Sequence, residues 1–188
     1  MIKNLLELPS DLPVPEDDGA AAHLVGTAVP DIALPSTAGG AVVLSGFSGR
    51  TVVYAYPRTG VPGEKSLDDN WEMIPGARGC TPESCAFRDH HDELGQAGAR
   101  VFGLSTQDTA FQREVAERLH LPFQILSDDR LELIRELNLP ILVVGDVTLM
   151  KRFTLVVRDG IIEHVFYPVF PPNTHAEDVL AWLKENPV

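Results

Sequence analysis

The chain has 188 residues, 44% of them hydrophobic, and 27 Asp and Glu against 15 Lys and Arg, for a formal charge of −12. That length suits one globular domain with a real core, and the negative charge repels phosphate backbones and anionic lipid, so nucleic acid and membrane surfaces are not expected partners. No apolar stretch approaches the ~20 residues of a membrane span. The N-terminus lacks the apolar run of a secretory signal, and the expected location is cytoplasmic.

In chain order, residues 1–24 are rich in Pro and acidic residues, show no sustained period, and are read as an extended or mobile arm preceding a domain over 25–188. Ile32-Ala33-Leu34 and Val42-Val43-Leu44 flank a Gly39-Gly40 turn, and Thr51 to Tyr56 is a β-branched and aromatic run ending at Pro57. These are predicted strands, the last one central. The stretch from Pro57 to Gly79 is rich in Gly, Pro and Asp and far exceeds the ~4–6 residues of an ordinary connection, which marks a functional or mobile loop.

An amphipathic helix is predicted from Cys80 through Leu94, stopped by Gly95 and Gly98; Val101 to Ser105 then reads as a buried strand. Phe111, Val115 and Leu119 mark a second helix, Phe123 to Leu126 a short strand, and Leu131, Ile134 and Leu137 a third helical face. Phe153 to Val157 and Ile161 to Phe166, joined through Asp159-Gly160, predict an antiparallel hairpin, and Thr174 with Glu177 forms a capping-box pattern opening a last helix. This order predicts an α/β fold with a mixed sheet flanked by helices.

Cys80 and Cys85 are the only cysteines. In a reducing compartment such a pair is more often catalytic or metal-binding than structural. A helix start lowers the pKa of a thiol, which makes Cys80 the expected nucleophile. Five residues apart on one helix, the two Cα atoms are about 8 to 9 Å apart, beyond the ~7 Å limit for a disulfide. The sulfurs can join only if the first turn unwinds, so the spacing points to a redox cycle coupled to local unfolding. His90 and His91 invite a zinc reading, but positions 80, 85 and 90 spread around the helix and cannot converge on one tetrahedral ion. Neither a metal nor a cofactor is expected. Trp71, within the long loop, either caps a pocket or anchors the loop.

From Val25 onward the chain resembles a peroxiredoxin of the Q-type, or bacterioferritin-comigratory-protein, group. Val29-Pro30-Asp31-Ile32-Ala33-Leu34 is similar to the family's opening strand, and Tyr56-Pro57 to its strand end. Gly79-Cys80-Thr81 through Cys85-Ala86-Phe87-Arg88-Asp89 is similar to its active-site helix, and Arg152-Phe153-Thr154-Leu155-Val156-Val157 to the strand whose arginine faces the thiolate. The resemblance implies a thioredoxin-like fold with N-terminal β additions. It also implies a peroxidase in which Cys80 attacks a hydroperoxide, Cys85 resolves the sulfenic acid as an intramolecular disulfide, and thioredoxin or a glutaredoxin-like protein reduces it.

Arg152 would then lower the Cys80 pKa and hold the peroxide oxygens. Pro57, Gly79 and Glu83 fall at matching positions of the substrate site, with Glu83 and Arg88 forming a network around the helix start; helix-dipole complementation alone accounts for Glu83 equally well.

One departure stands out: the family's proline and threonine before the nucleophile are here Met73 and Ala77. Thr59, held at the strand end, would replace that threonine; otherwise Pro75 shields the sulfur without a hydroxyl, or the site is weakened. Two other functions remain open, a general thiol-disulfide oxidoreductase and a non-enzymatic redox-sensing or binding module. The first usually relies on Cys-x-x-Cys, which this chain lacks. Monomer and homodimer are both compatible with the sequence.

Overall fold

The computed structural model describes residues 4–188. Its centre is a five-stranded sheet in the order β5 (Gln124–Ser127), β4 (Ala99–Ser105), β3 (Arg50–Ala55), β8 (Phe153–Arg158), β9 (Ile161–Phe166). β3, β4 and β5 run parallel, while β8 and β9 are antiparallel to their neighbours, so the sheet is mixed. β3 is the middle strand and is buried along its whole length, as a β-branched and aromatic run requires.

The two-residue period of β3 divides the core. Val52 and Tyr54 face a layer built from α1 (Cys80–Asp89), α2 (His91–Gln96), α3 (Thr109–Arg118) and α5 (His175–Glu185). Val53 and Ala55 face the opposite side, which is closed by α4 (Glu132–Leu137) and by residues near the N-terminus, among them Leu24 and Leu34. The N-terminal hairpin of β1 (Ala33–Pro35) and β2 (Ala41–Val43) contributes Ser36, which bridges to Leu126 on one outer strand, while Ala28 bridges to Ile161 on the other. Both sheet edges are thereby partly covered, which limits pairing with another chain. Asp159 and Gly160 both take positive φ, 50° and 79°, and make the tight turn of the β8–β9 hairpin.

Three features depart from the sequence expectations, and Trp71 takes the anchoring role of the two open to it. The helix opening at Cys80 does not run unbroken to Leu94: His90 leaves the helical region at φ −101° and ψ 9°, and its ring pairs with Glu93 at 2.9 Å, starting α2. Thr174 makes no side-chain cap on α5; a 3-10 turn over Pro172–Thr174 leads into that helix instead. A further hairpin, β6 (Ile141–Val144) with β7 (Val147–Met150), lies outside the central sheet. Trp71 is buried with Ala77, Val144 and Leu149, so this hairpin anchors the middle of the long 57–79 loop.

The first three residues of the 1–24 arm lie outside the described residues. The rest runs across the loop before Cys80 and ends in the core, where Ala21 and Leu24 are buried. Arg78 Nη2 donates to the carbonyls of Asn4 at 2.7 Å and Glu7 at 3.1 Å. Further along, Asp18 accepts from Lys151 and from Tyr167, both at 2.6 Å. Among the described residues, no helix is long and apolar enough to cross a membrane.

Candidate active site

The site forms where the long loop enters α1. Gly79 sits at φ 110°, a conformation other residues rarely adopt, and this turn swings the chain into the helix so that Cys80 becomes its first residue. A side chain at Gly79 would run into the Pro172 ring and press on Leu8, so the close packing admits only glycine. Pro82 then occupies the first turn, where its missing N–H costs no helical hydrogen bond.

Arg152, one residue before β8, reaches across to this turn and is buried. Its Nη2 lies 3.2 Å from Cys80 Sγ and also donates to the carbonyls of Gly76 at 3.1 Å and Arg78 at 3.3 Å. Its Nη1 donates to Glu83 Oε2 in a pair that is entirely buried. Glu83 is thus neither a solvated helix charge nor merely a dipole partner, because it fixes the direction in which the guanidinium forks. Burial pushes the Glu83 carboxyl up to about 7 against the pull of Arg152.

Cys80 itself is buried. The expected lowering of its pKa is not what this geometry produces: burial raises it, and the opposing effects of Arg152 and of the Arg58 backbone amide do not fully offset that. A thiolate loses its hydration in such a pocket, and Glu83 adds an unfavourable like charge.

The loop's start lies beside the same sulfur. Thr59 is buried, and it lines with Cys80, Gly79, Trp71 and Phe111 a cavity of about 390 Å³. Pro57 lines a second cavity of about 370 Å³, together with Pro75, Tyr167 and Arg152. Ala77 is fully buried and Met73 largely exposed, so neither takes up the role of the family residue it replaces.

The structure therefore brings together Cys80, Arg152, Glu83, Gly79 and Thr59, with Pro57 flanking them. Cys85 stands apart. It is half-buried on α1 and reduced, as is Cys80, and burial raises its pKa. Arg88 is beside Cys85 and away from the helix start: it donates to Asp89 at 2.8 Å and to the Leu119 carbonyl at 2.9 Å, so the expected network with Glu83 does not form.

Sequence reasoning missed three participants. Arg58 contributes a backbone amide to the sulfur and a guanidinium over Phe111, Arg78 its carbonyl and its grip on the arm, and Gln107 a side chain that binds Thr59. None carries a local pattern that would have flagged it.

A mixed sheet with a helix opening on a buried cysteine beside an arginine defines a thioredoxin-fold thiol protein. Residues 24–180 match the model of the Redoxin family. Peroxiredoxin Bcp of Escherichia coli strain K12 is 34% identical over 170 residues, covering 86% of this chain and 96% of that protein. The chloroplastic peroxiredoxin Q of Oryza sativa subsp. japonica is also 34% identical, over 161 residues, 85% of this chain and 66% of its own length. The chain thus spans about two thirds of that relative. The crystal structure of peroxidoxin BcpB from Mycobacterium tuberculosis superposes with a TM-score of 0.67 at 25% identity, covering 87% of this chain and 98% of that one. The chain belongs to the Redoxin family and, within it, to the peroxiredoxins of the Q or Bcp group.

Proposed function

We propose that the chain is a thiol-dependent peroxidase that reduces hydrogen peroxide and organic hydroperoxides. The contact of 3.2 Å between Cys80 Sγ and Arg152 Nη2 carries this reading, because it sets a fixed cation beside the nucleophile. In the first step the Cys80 thiolate attacks the terminal peroxide oxygen. An S–O bond forms, the O–O bond breaks, and the electron pair leaves on the departing oxygen, which takes up a proton to become water or an alcohol. Arg152 stabilises charge on both the attacking sulfur and the departing oxygen. Sulfur is oxidised by two electrons and becomes a sulfenic acid.

In the second step the first turn of α1 unwinds and Cys85 attacks the Cys80 sulfenic acid, releasing water and forming an intramolecular disulfide. A dithiol protein, thioredoxin or a glutaredoxin-like one, then reduces that disulfide by thiol exchange. Burial of Cys80 argues against a general thiol-disulfide oxidoreductase: at 2% exposure its sulfur suits a small peroxide and excludes a protein disulfide.

Stopped-flow oxidation of the reduced protein with one equivalent of hydrogen peroxide tests the reading. Oxidation far faster than that of free cysteine, abolished by Cys80→Ser, is the expected result. A rate near that of free cysteine would shift the assignment to a redox-sensing module.

A further inference from the structure

Gln107 lies two residues past the end of β4, is buried at 5% exposure, and has no part in the steps above. Its main chain is held at both ends: its N–H donates to Ser105 Oγ at 3.3 Å, and Ser127 Oγ donates to its carbonyl at 2.7 Å. From this base, at the ends of β4 and β5, the side chain grips Thr59. Its Oε1 accepts from the Thr59 N–H and from Thr59 Oγ1, each at 3.0 Å, and its Nε2 donates to the Thr59 carbonyl at 3.2 Å.

The backbone of Thr59 dictates the orientation of that amide. The Thr59 N–H can only donate and its carbonyl can only accept, so the oxygen of Gln107 must face the first and the nitrogen the second. The Thr59 hydroxyl meets the same carboxamide oxygen, which has no proton to give. Its own proton is therefore committed to Gln107, and what it has left to offer is its lone pairs. Thr59 lines the cavity that holds Cys80, and the residue before it gives its backbone amide to the Cys80 sulfur.

We propose that Gln107 is a positioning residue for peroxide, locking the Thr59 hydroxyl as an acceptor that takes the O–H of the hydroperoxide and turns its terminal oxygen toward Cys80. This rests on the peroxidase reading. As the S–O bond forms, the proton held by Thr59 stays on the terminal oxygen and ends on the sulfenic acid. The departing oxygen leaves with the electron pair on the far side, in line with the sulfur. A hydroxyl free to rotate would spend part of its time pointing its proton at the peroxide, where it cannot accept the O–H. Pre-setting the rotor removes that loss.

The test compares two electrophiles on the same thiolate. Gln107→Leu removes the clamp, and its rate with hydrogen peroxide should fall about tenfold, the equivalent of one hydrogen bond. Alkylation of Cys80 by iodoacetamide, which has no peroxide O–H to be held, should keep its rate, and the thiolate titration followed at 240 nm should not move. Equal losses with both electrophiles, or no loss with peroxide, would overturn the proposal.

Thr59→Val should show the same selective loss, and the double variant should be no slower than either single one. If Thr59→Val is slow while Gln107→Leu is not, Gln107 has no positioning role and the peroxidase stands. If the unaltered protein reacts no faster than free cysteine, the peroxidase reading itself fails. Thr59→Val guards against a Leu variant that does not fold, since it leaves Gln107 and its two main-chain bonds to residue 59 in place. Measured above the thiol titration, its peroxide rate per thiolate should fall about tenfold, and an unchanged rate would refute the clamp.

Discussion

The Glu83 carboxylate, on the first turn of α1, accepts a hydrogen bond from Arg152, which lies just before β8, and the pair is wholly buried. Because one guanidinium nitrogen is committed to Glu83, the other is held on the Cys80 sulfur. Two elements distant in sequence thus share one charge-assisted contact, and the position of the cation over the thiol depends on both.

Glu83→Gln keeps the shape and an acceptor for Arg152 while removing the negative charge. Glu83 raises the Cys80 pKa, so the variant should titrate its thiol at lower pH than the unaltered protein. The pH dependence of iodoacetamide alkylation reads this directly. An unshifted or upward-shifted titration would mean that Glu83 acts through geometry alone.

Cys85→Ser should complete one oxidation and stop. Stoichiometric peroxide should leave a Cys80 sulfenic acid that dimedone traps, and excess peroxide should carry it on to the sulfinic acid. Continued turnover with thioredoxin would remove Cys85 from the cycle.

Gly79→Ala should destabilise the fold and slow the peroxide step together. The positive φ of 110° and the meeting with Pro172 both oppose a Cβ, and strain of this kind costs on the order of 1 to 3 kcal/mol. Urea unfolding measures the loss. A variant of unchanged stability would show that the turn relaxes freely.

His175 supplies an acid-sensitive element that also feels the charge of Arg152. Burial, aided by the charge of Arg152, lowers its pKa to about 3, and the ring is held by Thr154 at 2.8 Å and packed on Phe87 and Phe166. Its neutral form is the folded form, whereas the unfolded chain takes up a proton near pH 6.5. Stability from this group is therefore complete above that pH and falls as pH drops toward 3, by about 1.4 kcal/mol per unit. Urea unfolding at pH 7 and pH 5 should show a difference that His175→Gln reduces. An identical slope in the variant would assign the acid sensitivity to other groups.

Much of the fold is legible because its strands are unambiguous. The run from Thr51 to Tyr56 has no polar break, and only a central strand buried on both faces suits it. The β6–β7 hairpin carries a similar signal, two β-branched runs around Gly145-Asp146, but it interrupts the strand–helix alternation and is easily absorbed into it. Cys80, Arg152 and Glu83 are readable through motifs. Cys80's raised pKa is not, since helix position speaks only to the dipole, while burial depends on how the Pro57–Gly79 loop, Pro172 and Arg152 close around the sulfur. Gln107 is invisible in sequence for the same reason: its partner lies 48 residues away, and the two meet only when the ends of β3 and β4 are side by side.

The arm gives the proposed cycle an outward sign. Arg78 grips the carbonyls of Asn4 and Glu7 with its side chain while its own carbonyl accepts from Arg152, two residues before Cys80. Unwinding of that turn to form the disulfide moves the residue on which the arm is fastened. A protease acting near the N-terminus would then distinguish the dithiol protein from the disulfide, cutting the second faster, and the clipping rate would report the redox state of a sulfur it never touches.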